Sequence, residues 1–257
     1  MSVRNSIITV GDSISDRPYG HGWADVIKRH HIYVEDNSTG GTEIVGDMEP
    51  KFIAGGEWSG RRDNCNIAIL QGGINDLKGF SVYGNDEDVM FASMTAMINQ
   101  AKADGATVFV MNVAPWKSYI GWSVEEQAMT DAYNALLAAN DSVLGYTLID
   151  LYSLLEDPST PDTLLPAYDN RDGLHPTSPV ARDVIVNEVL SFIAPLIEEE
   201  PMLNPIKLWR GAVQPASVSP LGNQLKIWRG AVQPVVTKSS TITGTNNGVA
   251  ISIDIGI

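Results

Sequence analysis

The chain has 257 residues, of which 44% are hydrophobic, 19% charged and 7% aromatic, the composition of a globular protein with enough apolar residues for a sizeable core. Its net charge of −14 excludes a general nucleic-acid binder, whose surface has to be basic. No apolar run approaches the roughly 18 residues of a transmembrane helix, so no membrane partner is expected.

Met1 to Arg4 lead straight into the apolar stretch Ile7–Val10, which leaves no room for a signal peptide. Cytoplasmic synthesis is therefore expected, with action outside the cell only after lysis. The single cysteine, Cys65, cannot form an internal disulfide and reads as a small buried residue beginning a strand. Charge is unevenly distributed. Beyond Pro201 lie five basic residues and one acidic, a balance of +4, so the first 200 residues carry −18. A shift of that size marks a boundary, and two parts are expected, 1–197 and 198–257.

The first part alternates short apolar runs with amphipathic stretches, as parallel strands joined by helices do. Strands are predicted at Ser6–Val10, Ile32–Glu35, Ile67–Gln71, Thr107–Asn112 and Thr147–Asp150. A helix over Asp88–Asp104 would place Val89, Met90, Ser93, Met94, Met97 and Ile98 on one face. A second, Ser123–Asn140, opens with Ser123 and Glu126 as a capping box. A third, Pro179–Ile197, has Ser178 as its N-cap. Five strands with helices between them predict a three-layer α/β/α sandwich with a parallel sheet, whose active site lies at the carboxyl ends of the strands.

The second part has another texture. Ile206-Lys-Leu-Trp-Arg-Gly-Ala-Val-Gln-Pro215 recurs as Leu225-Lys-Ile-Trp-Arg-Gly-Ala-Val-Gln-Pro234, and Trp209 and Trp228 set a period of 19 residues. Each copy alternates apolar and polar residues up to a glycine, as a short strand and turn would. The end, Val249–Ile257, is apolar and β-prone. A small β-rich appendage is expected, packed on the first domain or on other chains.

Three short blocks carry possible chemistry. The first strand runs into Gly11-Asp12-Ser13-Ile14-Ser15, where a serine beside glycine can present its hydroxyl at the sheet edge; the same residues are also common in plain turns. The third strand runs into Gly72-Gly73-Ile74-Asn75-Asp76, where the Asn75 amide could meet a developing oxyanion or simply bond its own backbone. Beyond the fifth strand, Asn170-Arg-Asp-Gly-Leu-His-Pro-Thr177 puts Asp172 and His175 three apart, a spacing that can fold the carboxylate onto the imidazole. Of the four histidines, His21, His30, His31 and His175, only His175 has an aspartate close by in a loop at that edge.

Together, in this order and spacing, the blocks resemble those of the SGNH hydrolases, also called GDSL-like esterases and lipases. Gly11-Asp12-Ser13, Gly73-Ile74-Asn75-Asp76 and Asp172-Gly173-Leu174-His175-Pro176 match three of the four family blocks. The remaining block, a glycine after strand two, is best matched in Asn37-Ser-Thr-Gly-Gly-Thr42 by Gly41, with Gly40 almost as good. Isoleucine rather than leucine follows Ser13. The resemblance covers roughly residues 5–197 and implies a flavodoxin-like fold and a serine esterase. It makes Ser13 the nucleophile, His175 the general base and Asp172 its orienter, with an oxyanion hole of the Ser13 and Gly41 N–H groups and the Asn75 side chain. No metal or cofactor is required.

The implied substrate is a small acyl ester, acetyl in particular, on carbohydrate, since the predicted helices show no apolar lid for a long chain. A thioesterase or lysophospholipase is the alternative within the family. A non-catalytic binding protein acting through its repeats is the alternative outside it. Trp23, Trp116 and Tyr119 are candidate substrate-binding aromatics, though such rings also pack in cores. The duplicated Lys-x-Trp-Arg-Gly units resemble segments of viral and other surface-fibre proteins, which implies a homo-oligomer assembled through the tail.

Overall fold

The computed structural model describes residues 6–16, 22–28, 33–77, 85–176 and 178–197, together with 207–210, 214–217, 240–246 and 249–255. The chain divides into two units, Met1–Glu198 and Glu199–Ile257.

In the first unit, Ser6–Gly11 (β1), Tyr33–Ser38 (β2), Ile67–Gln71 (β3), Thr107–Met111 (β4) and Thr147–Ile149 (β5) form one parallel sheet in the order β2-β1-β3-β4-β5. β1 and β3 are buried at every position, as strands covered on both faces must be, which explains the mainly apolar run of β3 and the near-continuous one of β1, broken only by Thr9. β2, at the edge, is only partly covered: Val34 and Asn37 are buried, Tyr33 is exposed and the other three positions are half-buried. Pairing of Val10 with Leu70 and of Gly11 with Ser38 brings the carboxyl ends of the three strands level. The chain moves outward one way from β1 and the other way from β3, so these two flank the crevice where such sheets bind ligands.

Helices cover the sheet in a three-layer α/β/α sandwich. Trp23–Lys28 (α1), Glu49–Phe52 (α2), Ser59–Arg62 (α3) and Ile74–Leu77 (α4) are short. The long helices are Glu87–Ala103 (α5), Val124–Leu144 (α6) and Pro179–Ile193 (α8), with Leu151–Leu155 (α7) between the last two. α5 packs on α6 and α1 on α8. The Phe109 and Phe192 rings, 6.2 Å apart, join α8 to β4.

Capping residues start the long helices: Asp86, Ser123 and Ser178 accept from the N–H groups of Val89, Glu126 and Ala181. α6 runs past its expected end at Asn140 until Gly145 closes it in the left-handed conformation, φ 69°. α8 stops at Ile193, short of Ile197, and Ala194–Leu196 tightens into a 3-10 turn around Pro195, which has no N–H to give the ladder. Met90, Ser93, Met94, Met97 and Ile98 are buried as predicted. Val89 is 43% exposed; it lies about 100° round the helix from Met90, outside the buried stripe. Cys65 is buried just ahead of β3, and burial pushes its thiol up to about 11.

In the second unit Lys207–Arg210 (β6) pairs antiparallel with Gln214–Ser217 (β7), setting Trp209 opposite Pro215 within the first copy of the repeat. Ser240–Asn246 (β8) pairs antiparallel with Val249–Ile255 (β9). The second copy, with Trp228, lies outside the described residues, as do Ile32, His21, His30 and His31. No described helix is long and apolar enough to cross a membrane.

Candidate active site

The turn after β1 is built around Gly11 and Gln71. A Cβ on Gly11 would stand 2.6 Å from the Ser15 side chain and 2.8 Å from Gln71 Oε1, so glycine is needed for the close approach. Gln71 Oε1 accepts from the Asp12 N–H (3.2 Å) and Ser15 Oγ (2.9 Å), and Ser15 Oγ accepts from Trp23 Nε1 (3.0 Å). Asp12 turns the chain: Oδ1 accepts the Ile14 N–H, and its carbonyl accepts those of Ser15 and Asp16. Among the described residues nothing takes the Ser13 N–H, and Ser13 itself is only 6% exposed.

The segment after β2 has a similar pattern. The Thr39 N–H goes to the Gly11 carbonyl and the Thr42 N–H to the Thr39 carbonyl. Gly40 donates to Asp16 Oδ2 (2.6 Å), Glu43 to Asp47 Oδ2, and Ile44 and Val45 to the two carboxylate oxygens of Asp76. Gly41 is the one residue of this stretch whose N–H has no acceptor among the described residues. It is exposed at φ +82°, and a Cβ there would meet none of the described residues within 4 Å.

After β3, Gly72 and Gly73 press between neighbouring elements. A Cβ on Gly73, at φ +120°, would lie 2.9 Å from Val113 Cγ2. Asn75, buried, donates through Nδ2 to the Thr42 carbonyl at 2.8 Å; an amide nitrogen carries two hydrogens, so one remains. Asp76 also accepts from Asn85 Nδ2 (3.0 Å). Burial pushes the Asp76 carboxyl up to about 7, against the pull of the Ile44 and Val45 N–H groups, while Glu43 and Asp12 add to the rise.

The loop bearing His175 is held by local bonds. Asp172 Oδ1 accepts the N–H groups of Leu174 (3.0 Å) and His175 (2.9 Å), and its Oδ2 lies 2.7 Å from His175 Nδ1. Gly173, at φ +74°, donates to Asp169 Oδ1, and a Cβ there would fall 2.3 Å from the Ser118 backbone. His175 Nε2 lies 2.9 Å from Ser13 Oγ. Burial alone would raise the Asp172 carboxyl, but the His175 N–H and ring and the Leu174 N–H outweigh it and hold it below the usual carboxylate range.

The structure therefore brings together Ser13, His175 and Asp172, and ties the Asn75 turn to the segment holding Gly41. Two aromatic candidates need correction. Trp23 and Trp116 are about 1% and 0% exposed, with their indole N–H groups spent on Ser15 and Thr130, so they are core residues and present no face to a substrate. Tyr119 is half-buried, its ring centre 6.3 Å from that of Trp116. Sequence reasoning missed Asp16 and Gln71, and quoted Asp76 without a role. A glutamine closing the apolar run Ile67–Gln71 was the available signal. Among the described residues no cluster of three or more histidine, cysteine or acidic side chains could hold a metal ion.

No curated protein matches the chain at the level of sequence. Solved structures share the fold. A GDSL-like lipase from Bacteroides thetaiotaomicron superposes with a TM-score of 0.59 at 17% identity, over 74% of this chain and 88% of its own. An acetyl xylan esterase, AlAXEase, gives 0.58 at 17% over 73% and 99%. TesA gives 0.57 at 18% over 74% and 99%. The sequence model of the GDSL-like lipase/acylhydrolase family matches residues 9–181, which span all the turns described above. With most of the chain matched from β1 into α8, this protein belongs to the GDSL-like lipase/acylhydrolase family and is a serine ester hydrolase of SGNH type.

Proposed function

We propose that the chain hydrolyses short acyl esters, acetyl above all, on carbohydrate, through a Ser13–His175–Asp172 triad and an acyl-enzyme. The observation that carries this reading is the continuous relay from Ser13 Oγ to His175 Nε2 (2.9 Å) and from His175 Nδ1 to Asp172 (2.7 Å). Serine is a weak nucleophile without an adjacent base. Its Oγ attacks the ester carbonyl carbon while its proton passes to Nε2, and Asp172 stabilises the imidazolium that forms. The tetrahedral oxyanion is met by the N–H groups of Ser13 and Gly41 and the remaining Asn75 hydrogen. Gly40 is unsuited to this task because its N–H is committed to Asp16. Collapse expels the alcohol, which takes the proton from Nε2. Water, deprotonated by His175, then attacks the acyl carbonyl and restores Ser13.

Two features favour a small acyl group on a neutral glycan. The large hydrophobics left exposed on the long helices, Val89, Val124, Val143 and Val180, are single residues spread over three helices, so none of the described helices presents an apolar face as a flap for a long chain, although the Ile120 side chain is exposed in the loop before the second of them. Acyl-CoA and lysophospholipid substrates carry phosphate, which the −18 charge of the first 200 residues repels. An acetyl xylan esterase among the structural neighbours points the same way.

The test compares wild type with Ser13→Ala on 4-nitrophenyl acetate, 4-nitrophenyl octanoate and acetylated xylan. Wild type should prefer acetate to octanoate and release acetate from the polymer, and the variant should do neither. Equal rates in the two proteins would remove Ser13 as nucleophile. Preference for octanoate without acetate release from any acetylated glycan would sink the substrate reading.

A further inference from the structure

We propose that Asp16 and Asp76 are positioning residues of the oxyanion hole, which aim the Gly41 N–H by clamping the chain on either side of it. The proposal rests on the reading of Ser13, Gly41 and Asn75 as the oxyanion donors. Gly41 is exposed, lies at φ +82° and, among the described residues, has nothing within 4 Å of where a Cβ would stand. With no described side chain packed at that point, the direction of its N–H is set largely by the bonds of its neighbours.

On one side, the Gly40 N–H is held by Asp16 Oδ2 at 2.6 Å. Asp16 closes the Ser13 turn, since its own N–H bonds the Asp12 carbonyl. On the other side, the Ile44 and Val45 N–H groups bond Asp76 at 2.9 and 3.2 Å. Asp76, 2% exposed, follows Asn75, whose amide holds the Thr42 carbonyl. Each clamp thus references Gly41 to one of the other two donors. Hydrogen bonds from N–H to carboxylate are among the stronger ones available for holding a loop. The accuracy matters, because a misplacement of about 1 Å can cost on the order of 100-fold in rate.

The test separates aiming from mere stability. An aryl ester and its thionoester, with C=S in place of C=O, are compared on wild type, Asp16→Asn and Asp76→Asn. Sulfur accepts hydrogen bonds poorly, so a well-aimed oxyanion hole favours the oxygen ester. Each variant should lose about 10- to 100-fold in kcat on the oxygen ester with KM within about twofold. The thionoester rate should barely change, so the oxygen-to-sulfur ratio falls by the same factor. A wild type that discriminates, beside folded variants that keep its ratio, overturns the clamps alone. A wild type that treats both esters alike overturns the oxyanion assignment and the clamps with it. Asp16 is half-buried, and if Asp76→Asn does not fold, Asp16→Asn decides the matter by itself.

Discussion

At the amino end of the sheet, the Ser6 N–H bonds Asn66 Oδ1 at 2.9 Å and its hydroxyl bonds the Asn64 carbonyl. Nearby, Arg62, 4% exposed, pairs through Nε with Asp104 at 2.8 Å and lies over the Phe52 ring. At the carboxyl end, Gln71, Asn75 and Asp76 are buried just as deeply and bonded to backbone and side chains of neighbouring turns. Burial of polar groups therefore does not distinguish the two ends. The difference lies in what remains unspent. At the amino end the leftover group is Arg62 Nη1, which is buried and has no acceptor among the described residues. At the carboxyl end, beside the buried Ser38 and Tyr133 hydroxyls, it includes the N–H groups of Ser13 and Gly41 and one hydrogen of Asn75, which surround a hydroxyl bonded to an imidazole. Among the described residues, only the carboxyl end has unspent donors grouped around a hydroxyl and an imidazole, which is what the proposed reaction calls for.

The comparison predicts that substitutions at the two ends separate activity from stability. Ser13→Ala should lower kcat by on the order of a million-fold, as nucleophile deletions do, while leaving the urea midpoint nearly unmoved. Asp172→Asn should cost on the order of ten-thousand-fold by leaving the imidazole in the wrong tautomer. Asn75→Ala should cost about 100- to 1,000-fold in kcat with little change in KM. It should also cost about 1 kcal/mol of stability, because the Thr42 carbonyl loses its donor. Steady-state kinetics beside urea melts check all three. A large stability loss in Ser13→Ala would erase the distinction at the carboxyl end.

Much of this was legible in the sequence where a signal is local. β1 and β3 announced themselves because a strand covered on both faces needs a near-continuous apolar run, and in β1 only Thr9 interrupts it. β2 was harder. It continues to Ser38 through Glu35, Asp36 and Asn37, held by its ladder with β1 and by Thr9 Oγ1 on Asp36, neither of which local composition reveals. Ser13, Asn75, Asp172 and His175 could be named because each sits in a short block with a glycine. The work of Asp16, Gln71 and Asp76 could not, since their partners lie 24 to 59 positions away in the chain. Trp23 and Trp116 stayed open between substrate and core because a sequence does not say which way a ring faces, and burial places both in the core.

The amino end offers the converse experiment. Arg62→Ala removes the buried half of an ion pair and its packing on Phe52, and leaves a partly exposed Asp104 with only Gln100 among the described residues. Losing a hydrogen bond to a charged group costs about 1.5–3 kcal/mol, and the urea midpoint should fall accordingly. In conditions where the variant stays folded, kcat on 4-nitrophenyl acetate should match wild type. A fall in kcat at full folding would mean that the amino end communicates with the site.

The smallest expected effect concerns Asp76, whose raised carboxyl couples the active end to stability near neutral pH. Asp76 is raised to about 7 when folded, so as pH rises the unfolded chain gives up this proton first. Folding then favours the form that binds more protons, and stability falls between the ordinary carboxylate value and about pH 7. Between about pH 5 and pH 7 the loss should be on the order of 2 kcal/mol. Asp172, held below the usual range, acts in the opposite sense. Its contribution is complete above the ordinary carboxylate value and is lost only at more acid pH, so it leaves this window undisturbed. Urea midpoints at the two pH values, for wild type and Asp76→Asn, isolate the effect, since all other titrating groups are common to both proteins. The variant should lose less stability than wild type over the interval, because asparagine has no proton to release. Parallel lines would mean that the Asp76 carboxylate stays ionised throughout, stabilised by the three N–H donors that surround it.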